Sequence, residues 1–356
     1  MKKFKYMEKY GFEQLVFFHD KSTGLKGLTC IHDTTLGPAL GGTRIWNYEN
    51  EDDAVLDVLR LARGMTYKNA AAGLNLGGGK SVIIGDASKI KSEELFRAFG
   101  RFVQSLNGRY ITAEDVNTTT KDMDYVLMET NHVVGLEGKS GDPSPVTALG
   151  AFHGIRASLK FKYGSDDISK YSYAIQGVGK TGFYLMGYLF DAGAKKVYFT
   201  DINEARIKEV KKTYPNAFLV SKEEIYSVKV DVFAPCALGA VINDETINKL
   251  NCNIVAGIAN NVLADENKHS KMLKDKNILY APDFVINAGG VINVYHELHG
   301  YVRENVMKDV EKIYDRLIEI YKIAEKENVD NQRAANLFAE KRIKAIHNVR
   351  SNYIPR

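Results

Sequence analysis

Apolar residues recur along the chain with two different periods, and the places where the period changes mark its elements. Residues 15–18 and 25–31 are rich in β-formers and flank Asp20-Lys21-Ser22-Thr23-Gly24, a turn composition, so the pattern predicts a hairpin. Residues 37–42, GPALGG, read as a turn or a ligand-contacting loop, too small and flexible for a core strand. A helix is predicted from Asn50, which caps it. Acids at 51–53 fill the first turn, Val55, Val58, Leu59 and Ala62 form one face, and Gly64 stops it. Gly77, Gly78 and Gly79 carry no strand or helix propensity and read either as letting a substrate sit against the main chain beside Lys80 or as a glycine-rich turn with an exposed lysine, with a buried strand at 82–84. Ser92 caps a helix that turns Leu95, Phe96, Phe99, Phe102, Val103 and Leu106 inward, and residues 109–112 form a strand ending at Ala113-Glu114-Asp115.

Residues 135–145 are rich in Gly, Ser, Lys and Pro and read as a hinge. Beyond a helix at 146–161, strands alternate with helical patterns. Candidate strands are 173–176, 196–200, 217–220, 230–234, 253–256 and 277–280, which together imply a parallel, doubly wound sheet. At residues 303–328, Val306, Val310, Ile313, Leu317, Ile320 and Ala324 form the stripe of one long amphipathic helix, and a last helix follows at 331–348. The expected fold class is therefore α/β with two domains. Residues 1–134 form an α/β substrate-binding and oligomerisation domain, and 135–330 form a Rossmann-type dinucleotide-binding domain. The C-terminal helix, about 331–356, is expected to pack back on the first.

The most specific local signal lies at residues 173–201. There a strand runs into the turn Gly177-Val178-Gly179-Lys180-Thr181-Gly182, a helix follows, and a second strand ends at Asp201. The G-x-G-x-x-G spacing permits a tight turn and close approach of backbone N–H groups to a pyrophosphate, with the helix N-terminus offering further donors. Asp201 stands 19 positions after Gly182, where a carboxylate accepts both ribose hydroxyls and repels a 2′-phosphate, so NAD is the expected cofactor rather than NADP. Gly179-Lys180-Thr181 and Gly79-Lys80-Ser81 resemble the end of a P-loop. The glycine a P-loop needs five residues earlier is replaced by Ala174 and Leu74, which removes the nucleoside-triphosphatase reading. The later strands of the sheet end in Pro235-Cys236-Ala237, in residues 257–261 and in Asn287-Ala288-Gly289-Gly290, edges expected to face the cofactor.

Composition narrows the remaining classes. The 356-residue chain has a net charge of only +4 from 48 basic and 44 acidic residues, so neither a nucleic-acid nor a membrane partner is implied. The basic residues Lys341, Arg342 and Lys344 read as a solvated helix face. Three cysteines, widely spaced and odd in number, suit a reducing compartment. Glu8, Lys9 and Glu13 interrupt any apolar stretch near the start, so no signal peptide is expected and the location is read as cytoplasmic. His296-Glu297-Leu298-His299 spaces its histidines three apart where a zinc helix needs four, and no metal is expected.

The strings GPALGGTR (37–44), GMTYKNAAAGLNLGGGK (64–80), ITAEDVNTT (111–119), PSPVTA (143–148), PCALGA (235–240) and APDFVINAGGVINV (281–294) closely resemble the glutamate, leucine, phenylalanine and valine dehydrogenase family over nearly the whole chain. Ala87 departs from the proline usual after the acid that closes the family's lysine signature. The resemblance implies reversible oxidative deamination of an apolar L-amino acid with NAD, giving a 2-oxo acid and ammonia. It implies Lys68 for the substrate carboxylate, Lys80 as catalytic base and Asp115 as the carboxylate that holds the amino group and moves protons. A lysine works as a base near neutral pH only where burial and a second cation lower its pKa. Leu40, Gly41, Met65, Ala113, Val291 and Val294 are implied around the substrate, with Thr147, Cys236, Ala237 and Asn261 beside the cofactor. Ala113 and Val291 favour branched aliphatic substrates, leucine first, over phenylalanine. A phenylalanine-preferring enzyme of the same family is the nearer alternative, and a non-catalytic NAD-binding protein is the alternative of another class. A homo-octamer is expected from the resemblance alone.

Overall fold

In the computed structural model, which describes residues 2–349, a helix α1 (Lys3–Tyr10) that the sequence pattern does not announce precedes the expected hairpin of β1 (Gln14–Asp20) and β2 (Leu25–Asp33). Then come β3 (Ala39–Trp46), α2 (Glu51–Ala71), β4 (Gly77–Ile84), α3 (Ala87–Ile90), α4 (Glu93–Ser105), β5 (Tyr110–Glu114) and α5 (Thr120–Leu127). The strands form a mixed sheet of order β1-β2-β4-β3-β5, in which β3 runs parallel to both β4 and β5. On one face Val55, Val58, Leu59 and Ala62 of α2 pack with Leu28, Cys30 and Val82. On the other, Phe96, Phe99 and Val103 of α4 pack with Phe18, Ile83 and Tyr110.

Three expectations are corrected in this sheet. Residues 39–42 are strand, not loop, and the glycines 77–79 are strand, not turn, because the backbones here approach too closely for side chains. A Cβ on Gly41 would lie 1.8 Å from the Gly79 carbonyl oxygen, and one on Gly78 would lie 2.1 Å from the Thr66 nitrogen. Helix α2 does not stop at Gly64 but continues to Ala71. Its buried face carries on through Thr66, Asn69 and Ala70, and nothing lies within 4 Å of a Cβ at Gly64 to favour a break there. Met65 and Lys68 are thereby helical.

The second set of elements is α6 (Ser144–Tyr163), β6 (Ser172–Gln176), α7 (Lys180–Asp191), β7 (Lys196–Thr200), α8 (Glu204–Thr213), β8 (Phe218–Leu219), β9 (Val230–Pro235), β10 (Cys252–Val255), α9 (Glu266–Asp275) and β11 (Leu279–Tyr280). All six strands are parallel in the order β11-β10-β9-β6-β7-β8. The chain winds outward from β6 through β7 to β8, then returns to β9 and winds the other way, a Rossmann-type doubly wound sheet with its switch point between β6 and β9. Helices α10 (Asp283–Ile286) and α11 (Gly289–Tyr295) follow. The long helix expected at 303–328 is two, α12 (Arg303–Glu311) and α13 (Ile313–Lys326), parted at Lys312 although Val310 and Ile313 are both buried. The chain's last described helix is α14 (Asn331–Val349).

By internal contacts the chain divides into two units. One groups Met1–Asp142 with Val294–Tyr301 and Ala339–Arg356, and the other groups Pro143–Asn293 with Val302–Phe338. The cut near the middle falls at Asp142/Pro143, inside the glycine- and proline-rich loop. Arg342 is not a solvated cation. Its Nη1 donates to the Leu74 carbonyl at 2.6 Å and its Nη2 to Asn75 Oδ1 at 2.9 Å, tying α14 to the segment that leads into β4.

Candidate active site

Lys80 sits in the middle of β4, opposite Cys30 of β2. Side chains alternate along a strand, so Lys80 shares its face with Val82, which packs against α2, the helix that carries Met65 and Lys68. Lys80 is buried, 5% exposed, and its Nζ lies 3.0 Å from Oδ2 of Asp115, the residue after β5. A buried ammonium requires a partner of this kind. Burial alone would raise the Asp115 carboxyl, but the cations of Lys80 and Arg44 outweigh it and hold the group down at about 2, so it is a carboxylate throughout the neutral range.

The backbone around Asp115 is fastened as firmly. Its N–H donates to Thr118 Oγ1 at 2.8 Å, Thr118 Oγ1 donates to the Thr43 carbonyl at 2.9 Å, and Asn117 adopts φ +62° while its amide donates to the Ile45 carbonyl. Gly42 permits this approach, since a Cβ there would meet the Glu114 carbonyl at 2.4 Å and Asp115 Cβ at 2.8 Å. Leu40 and Ala113 are buried, and Tyr110 donates its hydroxyl to the Gly41 carbonyl at 2.6 Å beneath them. Leu40, Gly41, Met65, Lys68, Lys80, Ala113, Asp115 and Val294 all belong to the first unit, and Val291 belongs to the second.

In the second unit the turn after β6 matches what a dinucleotide needs. Gly177 has φ +94°, and its N–H is held by the Thr200 carbonyl at 2.9 Å. A Cβ on Gly179 would meet nothing within 4 Å, so the turn is open on the side a pyrophosphate would use. One on Gly182 would strike the Gly177 carbonyl at 2.2 Å, which is the close helix–strand packing the third glycine serves. Helix α7 begins directly at Lys180 and Thr181. Asp201 Oδ2 accepts the Val178 N–H at 2.7 Å, and its Oδ1 accepts the Asn203 N–H at 2.8 Å, so the carboxylate is set against the turn. On the other side of the switch point Cys236 donates its N–H to the Gln176 carbonyl at 2.8 Å, and Ala237 lies against Gly177. Burial pushes the Cys236 thiol up to about 12, so it is a neutral packing group. Gly177, Val178, Gly179, Lys180, Thr181, Gly182, Asp201, Cys236 and Ala237 therefore gather round one strand-end crevice, and they fit NAD. Thr147, in the first turn of α6, donates to the Pro143 carbonyl at 2.9 Å and lies beside Gly290. Asn261, at φ +51°, follows β10 and accepts the Ala240 N–H at 2.7 Å.

Among the described residues, no group of three or more His, Cys, Asp or Glu is arranged to hold a metal ion, and no helix is long and apolar enough to cross a membrane. Glu297, between the two histidines, instead accepts the N–H groups of Gly135 and Ser140 at 3.0 and 3.2 Å, and the Ser140 hydroxyl. The residues that pattern reading misses are Arg44, Asp57 and Tyr48. Arg44 Nε lies 3.1 Å from Asp115 Oδ2 and its Nη1 3.1 Å from Asp57 Oδ2, which also accepts the Tyr48 hydroxyl at 2.5 Å. Arg44 closes the string GPALGGTR, but Asp57 looks like any acid on a helix, and no spacing along the chain connects the two.

Residues 13–132 match the family described as Glu/Leu/Phe/Val dehydrogenase, dimerisation domain, and residues 198–351 match the one described as Glutamate/Leucine/Phenylalanine/Valine dehydrogenase. A leucine dehydrogenase of Thermoactinomyces intermedius is 54% identical, over 99% of this chain and 97% of that protein. A phenylalanine dehydrogenase of Caldalkalibacillus thermarum is 47% identical over 96% and 94%. The crystal structure of L-tryptophan dehydrogenase from Nostoc punctiforme superposes with a TM-score of 0.86 at 45% identity, covering 97% of this chain and 99% of that one.

Proposed function

The chain belongs to the glutamate, leucine, phenylalanine and valine dehydrogenase family, and we propose that it catalyses the reversible NAD-dependent oxidative deamination of L-leucine and related branched-chain L-amino acids. The observation that carries this reading is the buried Lys80–Asp115 pair in a chain so similar to a leucine dehydrogenase. Bound NAD supplies the acceptor for the hydride that leaves Cα. Lys68 holds the substrate carboxylate by a charge-assisted hydrogen bond. Asp115, ionised at neutral pH, holds the substrate ammonium and accepts one of its protons, so that hydride leaves the neutral amine, and it afterwards returns that proton to the departing ammonia. Lys80, as the neutral amine formed when it yields its own proton to solvent, takes the proton from the water that attacks the iminium carbon, and the carbinolamine then collapses to the 2-oxo acid, its hydroxyl proton leaving with ammonia as ammonium. A protein that only bound NAD would gain nothing from a desolvated lysine in its first unit.

Leu40, Met65, Ala113, Val291 and Val294 are the proposed neighbours of the substrate side chain. All are uncharged, so a glutamate or lysine side chain would be buried without a partner at several kcal/mol, at order of magnitude. Among apolar substrates one methylene is worth about 1 to 3 kcal/mol, so overlap between leucine, valine and isoleucine is expected. With purified enzyme, NADH formation should show kcat/KM for leucine at least roughly tenfold above phenylalanine, about 1.4 kcal/mol in the transition state. Ala113→Gly should narrow that gap by making room for the ring, and NADP should be a poor substitute because of Asp201. Phenylalanine preferred by the unmodified enzyme would overturn the leucine assignment, and equal turnover with NADP the role of Asp201.

The match of the first unit to a dimerisation domain supports self-association, and a homo-octamer is the proposed assembly. Light scattering should give eight times the 39.8 kDa chain mass; a fully active monomer would refute it. Cys30, Cys236 and Cys252 are all free thiols, which supports the cytoplasm as the proposed location.

A further inference from the structure

Two cations meet on one oxygen of Asp115, and the mechanism above uses only one of them. Lys80 Nζ and Arg44 Nε lie 3.0 and 3.1 Å from the same Oδ2. Arg44 comes from β3, and a second nitrogen of its fork, Nη1, reaches Asp57 of α2 at 3.1 Å, where Tyr48 donates at 2.5 Å to the same oxygen. The four charged groups sum to zero. Asp57 balances Arg44 as Asp115 balances Lys80, so the cluster is neutral although its members are mostly removed from water. The titratable groups facing Asp115 are Lys80 from β4, Arg44 from β3, Tyr110 of β5 and Tyr48 beyond β3.

We propose that Arg44, itself held by Asp57, which Tyr48 braces in turn, is a positioning residue that fixes the Asp115 carboxylate independently of Lys80. This rests on the reading of Lys80 and Asp115 as the catalytic pair. The need follows from the chemistry. Lys80 acts as a base only as the neutral amine, and on yielding its proton it ceases to be an ion-pair partner, so a carboxylate tied to it alone would be released at that moment. The turn at 115–118 locks the main chain of Asp115 through Thr118 and Asn117 and turns one backbone donor, the Val116 N–H, toward the carboxylate, but it supplies no charge to replace Lys80. Arg44 supplies a permanent charge from β3, and its planar fork reaches the Asp115 and Asp57 carboxylates at once. A lysine at this position would supply the charge and lose one of the two contacts.

The test is a set of variants of the full chain, assayed as NADH formed from NAD and L-leucine: R44Q, R44K and D57N, with R44Q also made in a D115N background. Misplacement of a reacting group by about 1 Å is worth on the order of a hundredfold. R44Q should therefore lower kcat by about a hundredfold while KM for leucine changes less than about threefold. R44K should recover part of the loss, and D57N should lower kcat by about tenfold, since it loosens Arg44 without removing it. In the D115N background R44Q should add less than about threefold, because groups that act as one unit are not additive. A hundredfold effect of R44Q on top of D115N, or an effect confined to KM, would overturn the proposal. So would full kcat in R44Q where D115N is inactive. Should R44Q fail to fold, R44K and D57N decide by the same kcat and KM criteria. D115N with wild-type kcat would instead refute the catalytic pair itself, a different failure from that of Arg44.

Discussion

Replacing Lys80 by alanine is expected to lower kcat for leucine deamination by about a thousandfold, within the ~10² to 10⁴ that a positioned general base contributes, and to leave KM within a few-fold. The expectation rests on where Lys80 stands. It is buried in the centre of a sheet and paired with Asp115, which suits a proton carrier better than a surface-accessible binding group. Lys68→Ala should give the opposite pattern, a raised KM with a smaller change in kcat, because a carboxylate is held alike in ground and transition states. Initial rates of NADH formation over a range of leucine concentrations separate the two. A reversed pattern would mean that the roles of Lys68 and Lys80 must be exchanged.

A methyl group at Gly41 should be as damaging as the loss of a catalytic group. The Cβ of Gly41→Ala would lie 1.8 Å from the Gly79 oxygen and 2.8 Å from its carbonyl carbon, and neither neighbour is a flexible side chain. Relief requires β3 and β4 to part, yet they are in register on both sides, Leu40 opposite Gly78 and Thr43 opposite Ser81. Overpacking costs about 1 to 3 kcal/mol where side chains can shift and more where only backbone can. We expect Gly41→Ala to be recovered poorly, with a melting midpoint lowered by about 10 °C or more and kcat reduced at least about a hundredfold, since β4 carries Lys80. Gly64→Ala is the control. Gly64 lies within α2 with nothing within 4 Å of a Cβ, so alanine there should stabilise by about 0.5 to 1 kcal/mol through helix propensity and a less flexible unfolded chain. Calorimetry of the two proteins checks the contrast, and a Gly41→Ala protein that melts with the parent would show that the sheet opens more easily than its pairing suggests.

The sequence by itself determined the architecture of the second unit and the family of the whole. A strand, a glycine turn, a helix and an acid at the next strand end are encoded within about thirty residues, so every physical requirement of that motif is written in local spacing. The amphipathic stripes of α4 and α13, the caps Asn50 and Ser92, and the parallel alternation after residue 172 are likewise local. The strings holding Lys68, Lys80 and Asp115 point to the chemistry by resemblance, but nothing in them states a distance. Tertiary structure alone decided what glycine means at 41 and 77–79. Read along the chain, such glycines break strands. In the sheet they are strand, because neighbouring backbone and side chains occupy the space a Cβ would need. It also decided that α2 runs past Gly64, since the burial that sustains its last turns comes from β4 and not from the helix itself. The Arg44–Asp57–Tyr48 chain behind Asp115 joins β3, α2 and the residue after β5. An interaction between groups 71 and 13 positions apart leaves no periodic trace, and it becomes visible only when folding removes the water between them.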